Sequence, residues 1–177
     1  MKLYAAALTV VSAVAMLTAP PAGALFRDYT WQSTLEDVKK DARLSKCTGP
    51  VQNGSVWTME CATLVDGTYP AGVLFYFGKD PVSSEMDKSA TVYVLEGIVL
   101  KIAAPTVEAV PTLLSDLKDR LVKKYGDPKT ASVEAPPVAW LWALTDGTEI
   151  TLLSAGGVSV WISYLSPAVQ TRTKDSL

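Results

Sequence analysis

Along residues 113–125 the apolar side chains fall at Leu113, Leu114, Leu117, Leu121, Val122 and Tyr125, the spacing of a helix that buries one face. Lys118, Asp119, Lys123 and Lys124 take the opposite face, and the lysine pair in the last turn complements the negative end of the helix dipole. Pro111 suits a first turn, Gly126 can adopt the left-handed stop conformation, and Pro128 keeps the helix from resuming. A shorter helix is expected over residues 33–44, where Ser33 caps the first turn, Glu36 reaches back to it, and Leu35, Val38 and Ala42 share a face.

Elsewhere the period drops to two. Residues 56–65 alternate, with Trp57, Met59, Cys61 and Thr63 on the side expected to be buried and Val56, Thr58, Glu60 and Ala62 on the other. Asp66-Gly67 is a favoured two-residue turn, and residues 72–77 return the chain. Val73-Leu74-Phe75-Tyr76-Phe77 is apolar at every position, which marks a strand in the interior of a sheet. Residues 91–102 are strand-like, with Glu96-Gly97 either a turn or a bulge. Residues 138–145, 148–153 and 158–165 read as a meander joined by Asp146-Gly147 and Ala155-Gly156-Gly157. Thr48-Gly49-Pro50 and Asn53-Gly54 read as a loop, and residues 167–177 as a polar, fraying tail.

These elements predict one α+β domain over residues 25–166, an antiparallel sheet of about six to seven strands with two helices on one face. The halves are alike. Leu35-Glu36-Asp37-Val38-Lys39 lies over Leu114-Ser115-Asp116-Leu117-Lys118, and Asp66-Gly67-Thr68 over Asp146-Gly147-Thr148. A duplicated helix-plus-three-strand unit over residues 33–103 and 110–165 is therefore expected.

The ends and the composition narrow the class. Lys2, an uncharged run over residues 3–19, the break at Pro20-Pro21 and the small residues Ala22-Gly23-Ala24 form a signal peptide with cleavage expected after Ala24. Its removal takes away one lysine and moves the net charge from −2 to −3. No basic patch follows, so neither nucleic acid nor an anionic membrane surface is an expected partner. A stable membrane anchor is not expected after cleavage, and the protein belongs in the periplasm or outside the cell. Cys47 and Cys61 are the only cysteines, and in an oxidising compartment they are expected to pair.

Histidine is absent, which removes Ser-His and Cys-His nucleophile pairs and the histidine zinc sites. There is no Gly-x-Ser-x-Gly elbow and no phosphate-cradling loop, and no cofactor is expected. Glu60, Asp66, Glu96 and Glu149 remain as possible members of a carboxylate pair for glycoside hydrolysis, or as solvated sheet positions. The aromatics leave a second choice open. Trp140 and Trp142 share one face of their strand, and Leu141 and Ala143 share the other. If Leu141 faces the helices, the two tryptophans make an exposed recognition patch; otherwise they are core.

The capped Leu-x-x-Val-Lys helix, the leucine-rich helix ending in Lys-Tyr-Gly-Asp-Pro and the tryptophan-bearing meander resemble small bacterial envelope proteins of unassigned function. In outline the pattern is similar to the β-lactamase-inhibitor-like and outer-membrane-assembly-lipoprotein folds, without the lipidated cysteine of the latter. The resemblance implies a protein-binding role in the envelope and carries over no functional residues. The expected function is thus non-catalytic recognition of another envelope or extracellular protein. It would use the sheet face and the polar loop over residues 78–88, with Trp140, Trp142, Lys79, Asp80 and Glu85 as candidate contacts. The alternatives are a carboxylate hydrolase of envelope polysaccharide and a structural or chaperone-like envelope factor.

Overall fold

The computed structural model describes residues 26, 28–65, 67–80, 92–134 and 137–175, the last four without their side chains. The first half contributes α1 (Leu35–Lys39) and strands β1 (Ser45–Asn53), β2 (Val56–Val65), β3 (Tyr69–Lys79) and β4 (Tyr93–Ala103). The second contributes α2 (Val110–Tyr125), then β5 (Thr130–Ser132), β6 (Val138–Ala143), β7 (Glu149–Ser154) and β8 (Ser159–Leu165), and finally α3 (Pro167–Asp175). All eight strands form one antiparallel sheet in the order β1-β2-β3-β4-β8-β7-β6-β5. Each half is a four-stranded meander, and the last strands of the two, β4 and β8, lie side by side.

The α+β class and the packing of both main helices on one face match the expectation from the pattern. The strand count is higher, because β1 and β5 sit in stretches that read as loops. Each is an outermost strand with a single partner, and almost every residue of either is exposed, so hydrophobic alternation had nothing to mark. The unit in each half is accordingly a helix and four strands, not three. β1 is also irregular, with register shifts between Ser45 and Thr48 and between Thr48 and Val51. Gly49 is required there. Its φ is +101°, and a Cβ would stand 2.9 Å from the Thr58 carbonyl oxygen.

The first helix differs from its expected form at both ends. Thr34, not Ser33, is the cap: its hydroxyl accepts the Asp37 amide, and the Asp37 carboxylate accepts the Thr34 amide. The helix stops after Lys39 because Asp41 turns the chain. Its carboxylate accepts the Arg43 backbone N–H and two guanidinium N–H groups of the same residue. The Tyr29 hydroxyl also donates to it. Residues 167–175, expected to fray, are helical, with the Gln170 amide donating to the Gly147 carbonyl at 2.8 Å.

α2 follows the sequence reading closely. Pro111 stands in its first turn, Leu113, Leu114, Leu117 and Leu121 are buried, and Gly126 closes it with φ +81° and an N–H to the Val122 carbonyl at 2.8 Å. The core lies between this helix and alternate residues of the sheet: Val73, Phe75 and Phe77 from β3, Ile98, Leu100 and Ile102 from β4, and Ile150 and Leu152 from β7. Glu96-Gly97 resolves as a bulge in an unbroken β4: Gly97 pairs with Tyr76 and Leu95 with Phe77, leaving Glu96 as the extra residue.

Cys47 and Cys61 are joined, tying edge strand β1 to β2. A loop of this length contributes about 3 kcal/mol by restricting the unfolded chain. Replacing both cysteines by serine should lower the unfolding free energy by that amount, read from the urea midpoint. A second prediction concerns Asp41, whose side chain is 7% exposed. Burial works to raise its pKa, but the hydrogen bonds from Arg43 and Tyr29 outweigh it and hold the carboxyl well below its usual range. A depressed carboxyl contributes stability that is complete above about pH 4 and drains away as the pH falls toward the folded-state value. Asp41→Asn should therefore cost about 2 kcal/mol at pH 7, with the gap to the parent closing in denaturation curves below pH 4.

Candidate functional site

The sheet presents one face to α1 and α2 and a second face whose residues the strand register places in rows. One row runs Glu60, Leu74, Val99, Ser163, Thr151, Leu141; the next runs Ala62, Gly72, Lys101, Trp161, Leu153, Ala139. A third runs Thr58, Tyr76, Gly97, Leu165, Glu149, Ala143. Antiparallel sheets with one covered face usually put polar residues on the other. Here Leu74, Tyr76, Val99, Trp161, Leu153 and Leu165 form a continuous half-buried apolar patch. The patch spans about 14 Å across the strands and about 14 Å along them.

Two details give the patch a shape. Tyr76 and Leu165 lean together over Gly97, where a Cβ would lie 3.3 Å from the tyrosine ring and 3.5 Å from the leucine methyl. Burial pushes the Tyr76 phenol up from its ordinary pKa, so it stays neutral and serves as a donor. Lys101 lies with its ammonium 5.2 Å from the centroid of the Trp161 ring. That cation–π contact orients the indole and leaves a positive charge at the patch border. Beyond Lys101 the face falls into a depression of about 520 Å³, floored by the small residues Ala62, Gly72 and Ala103 and bordered by Lys46 and Glu60.

The residues singled out from sequence fare unevenly. Trp142 is 1% exposed, and its indole N–H donates to the Gly126 carbonyl at 2.8 Å, so it is a core residue holding the end of α2. Trp140 lies on the same helix-covered side, partly buried against the core. An exposed Trp140/Trp142 pair is thus ruled out, because α2 covers the face they share. Lys79 is exposed at the end of β3, and the Asp80 N–H donates to the Val92 carbonyl at 2.9 Å. Glu85 and most of the loop over residues 78–88 lie outside the described residues, as does Asp66. The tryptophan that does face away from the helices is Trp161. Its position was legible in β8, where Val160, Ile162 and Tyr164 alternate with Ser159, Trp161, Ser163 and Leu165, had the larger aliphatic set been assigned to the core.

Among the described residues, the candidate carboxylates Glu60, Glu96 and Glu149 do not converge. Glu60 on β2 and Glu149 on β7 are four strand spacings apart, about 19 Å, too far for either geometry of glycoside hydrolysis. Glu96 is 7% exposed and reaches from its bulge over Gly78 of β3, away from the β7 side of the sheet. Among the described residues, no group of three His, Cys, Asp or Glu side chains is placed to hold a metal ion. No family model, curated protein or solved structure matches the chain.

The Glu96 carboxyl fills the space that a side chain at Gly78 would need: an added Cβ would fall 1.9 Å from its carboxyl carbon. Gly78→Ala should therefore destabilise by about 1–3 kcal/mol. Adding Glu96→Ala to that variant should recover part of the loss. A double-mutant cycle in urea should show a coupling of at least about 1 kcal/mol, and additive losses would mean that the two residues do not share this space.

Proposed function

We propose that this protein is a non-catalytic binding module of the bacterial envelope or extracellular space, recognising another protein through the sheet face opposite its helices. The observation that carries this reading is the contiguous apolar and aromatic patch around Trp161, on a face where a sheet covered on one side ordinarily shows polar residues. Its anatomy fits an interface centre: an oriented tryptophan, a tyrosine and aliphatic neighbours, with Lys101, Glu60 and Glu149 at the border. The dispersal of the carboxylates argues against the polysaccharide hydrolase.

The signal-like N-terminus and the disulfide favour export to an oxidising compartment, and among the described residues no helix is long and apolar enough to cross a membrane. The mirrored strand order, with the sequence Asp-Gly-Thr following the second strand of each half, favours an origin by duplication of a helix–four-strand unit. Lys79 and Asp80 stand at the end of β3, and with Glu85 they are proposed as contacts at the margin of the same surface.

Trp161→Ala and Trp142→Ala separate recognition from folding. Trp161→Ala should leave the melting temperature within a few degrees of the parent while weakening capture of an envelope protein at least about tenfold. Trp142→Ala should cost about 3–5 kcal/mol of stability. Partner capture that survives Trp161→Ala unchanged in a folded variant would remove this face from consideration.

A further inference from the structure

Two turns of the sheet set a side-chain carbonyl group next to a glycine amide: Asn53-Gly54 between β1 and β2, and Asp146-Gly147 between β6 and β7. Glycine has no Cβ to shield its backbone nitrogen, so in such a pair that nitrogen can reach the carbonyl carbon of the preceding side chain. What decides the outcome is how firmly the two groups are held. At Asp146-Gly147 both are held. The Asp146 carboxylate accepts the Thr148 N–H at 2.9 Å, and the Gly147 N–H donates to the Leu144 carbonyl at 3.0 Å. α3 closes on the same turn: the Gln170 side-chain amide donates to the Gly147 carbonyl at 2.8 Å, and a Cβ on Gly147 would stand 2.9 Å from the Pro167 ring. At Asn53-Gly54 the two reacting groups are free. Residues 53–55 are exposed, and nothing lies within 4 Å of the place a Gly54 Cβ would take. Among the described residues, neither the Asn53 side-chain amide nor the Gly54 N–H has a hydrogen-bond partner. The Gly54 carbonyl, which takes no part in ring closure, accepts the Gln52 side-chain amide at 3.1 Å. Asn53 is also the only asparagine in the chain, so loss of an asparagine amide reads on this position alone.

We propose that Asn53 is a site of spontaneous deamidation in the folded protein, a one-way modification whose only co-reactant is water. The Gly54 nitrogen, losing its proton to hydroxide, attacks the Asn53 side-chain carbonyl carbon. A new C–N bond closes a cyclic imide, the bond to the side-chain nitrogen breaks, and that nitrogen takes a proton from water and leaves as ammonia. Water then opens the imide at either carbonyl, leaving aspartate or isoaspartate at position 53; nothing is oxidised or reduced. The turn gains a carboxylate, and in the isoaspartate form the main chain gains a methylene. A two-residue turn fixes the register of its hairpin, so the longer backbone cannot keep position 53 opposite Val56. The outer end of β1 is then released from Trp57 and Thr58, while the Cys47–Cys61 bond keeps the other end attached. The site lies on the outermost strand, outside the patch around Trp161, so its fate does not bear on the recognition reading.

The test is to hold the folded protein in neutral and in mildly alkaline buffer for several weeks and follow it by intact mass and peptide mapping. Position 53 should convert to a mixture of aspartate and isoaspartate, at a rate rising in proportion to hydroxide concentration, while position 146 stays free of isoaspartate. Gly54→Ala should slow the conversion at least about tenfold by crowding the attacking nitrogen. Asn53→Gln, whose ring closure is larger and slower, should keep its mass over the same period, whatever Gly54→Ala does to the turn. Hydrogen exchange in the converted protein should be at least about tenfold faster at residues 51–53 and unchanged in β3 and β4. Conversion of Asn53 only after unfolding in urea would overturn the proposal. So would isoaspartate forming at position 146 as fast as at position 53, or a mass gain in Asn53→Gln equal to the parent's. Unchanged exchange at residues 51–53 of the converted protein would overturn the release of β1.

Discussion

The pairing of β4 with β8 is the constraint on which the rest of the molecule depends. Seven residue pairs, from Gly97 with Leu165 to Ala103 with Ser159, join two meanders into one sheet. Without that junction each half would present an apolar strand as an open edge. With it, the core runs uninterrupted from Phe75 on one side to Trp142 on the other. The two halves also grip one another outside the sheet. The Trp31 indole N–H donates to the Thr148 hydroxyl at 2.8 Å, and Thr148 is fully buried in the second half's turn. The Ser166 N–H donates to the Glu96 carbonyl at 2.9 Å, securing the exit of β8 against the bulge of β4.

Joining the meanders edge to edge makes a sheet with two unlike sides. The helical side carries nearly all the fully buried aliphatic residues and supplies most of the stability. The opposite side is free of that duty, and its composition is harder to explain as packing alone: Tyr76 over Gly97 and Lys101 over Trp161 order side chains on the face away from α1 and α2. Small residues at Ala62, Gly72 and Ala103 then open a depression beside them. On the proposed reading, a scaffold of this kind separates fold maintenance from recognition, so substitutions on one side need not disturb the other.

What the sequence revealed and concealed follows from where side chains meet a hydrophobic environment. α2 was legible almost residue by residue, because its leucines repeat with the helical period and Pro111 and Gly126 punctuate it. The interior strands were legible from Val73–Phe77 and from the Asp-Gly turns. β1 and β5 were not, since residues such as Lys46, Gln52 and Thr130 lie in exposed edge strands and bear no burial pattern. The early stop of α1 came from one carboxylate, Asp41, recruiting Arg43 and a distant Tyr29, a tertiary effect that local pattern cannot carry. The tryptophans show a different limit. Alternation assigned Trp140 and Trp142 to a common face, but which face meets the helices is decided by the whole sheet at once.

The strand order also bears on how the chain comes to be folded. β4 is made when little more than half the chain exists, yet its neighbour β8 is the last strand to be synthesised. A chain delivered from its N-terminus therefore carries an unpaired, apolar strand edge until almost all of it has arrived. Completion of the sheet is thus postponed until the last strand has been made. Truncation that removes residues 159–165 would leave that edge exposed for good.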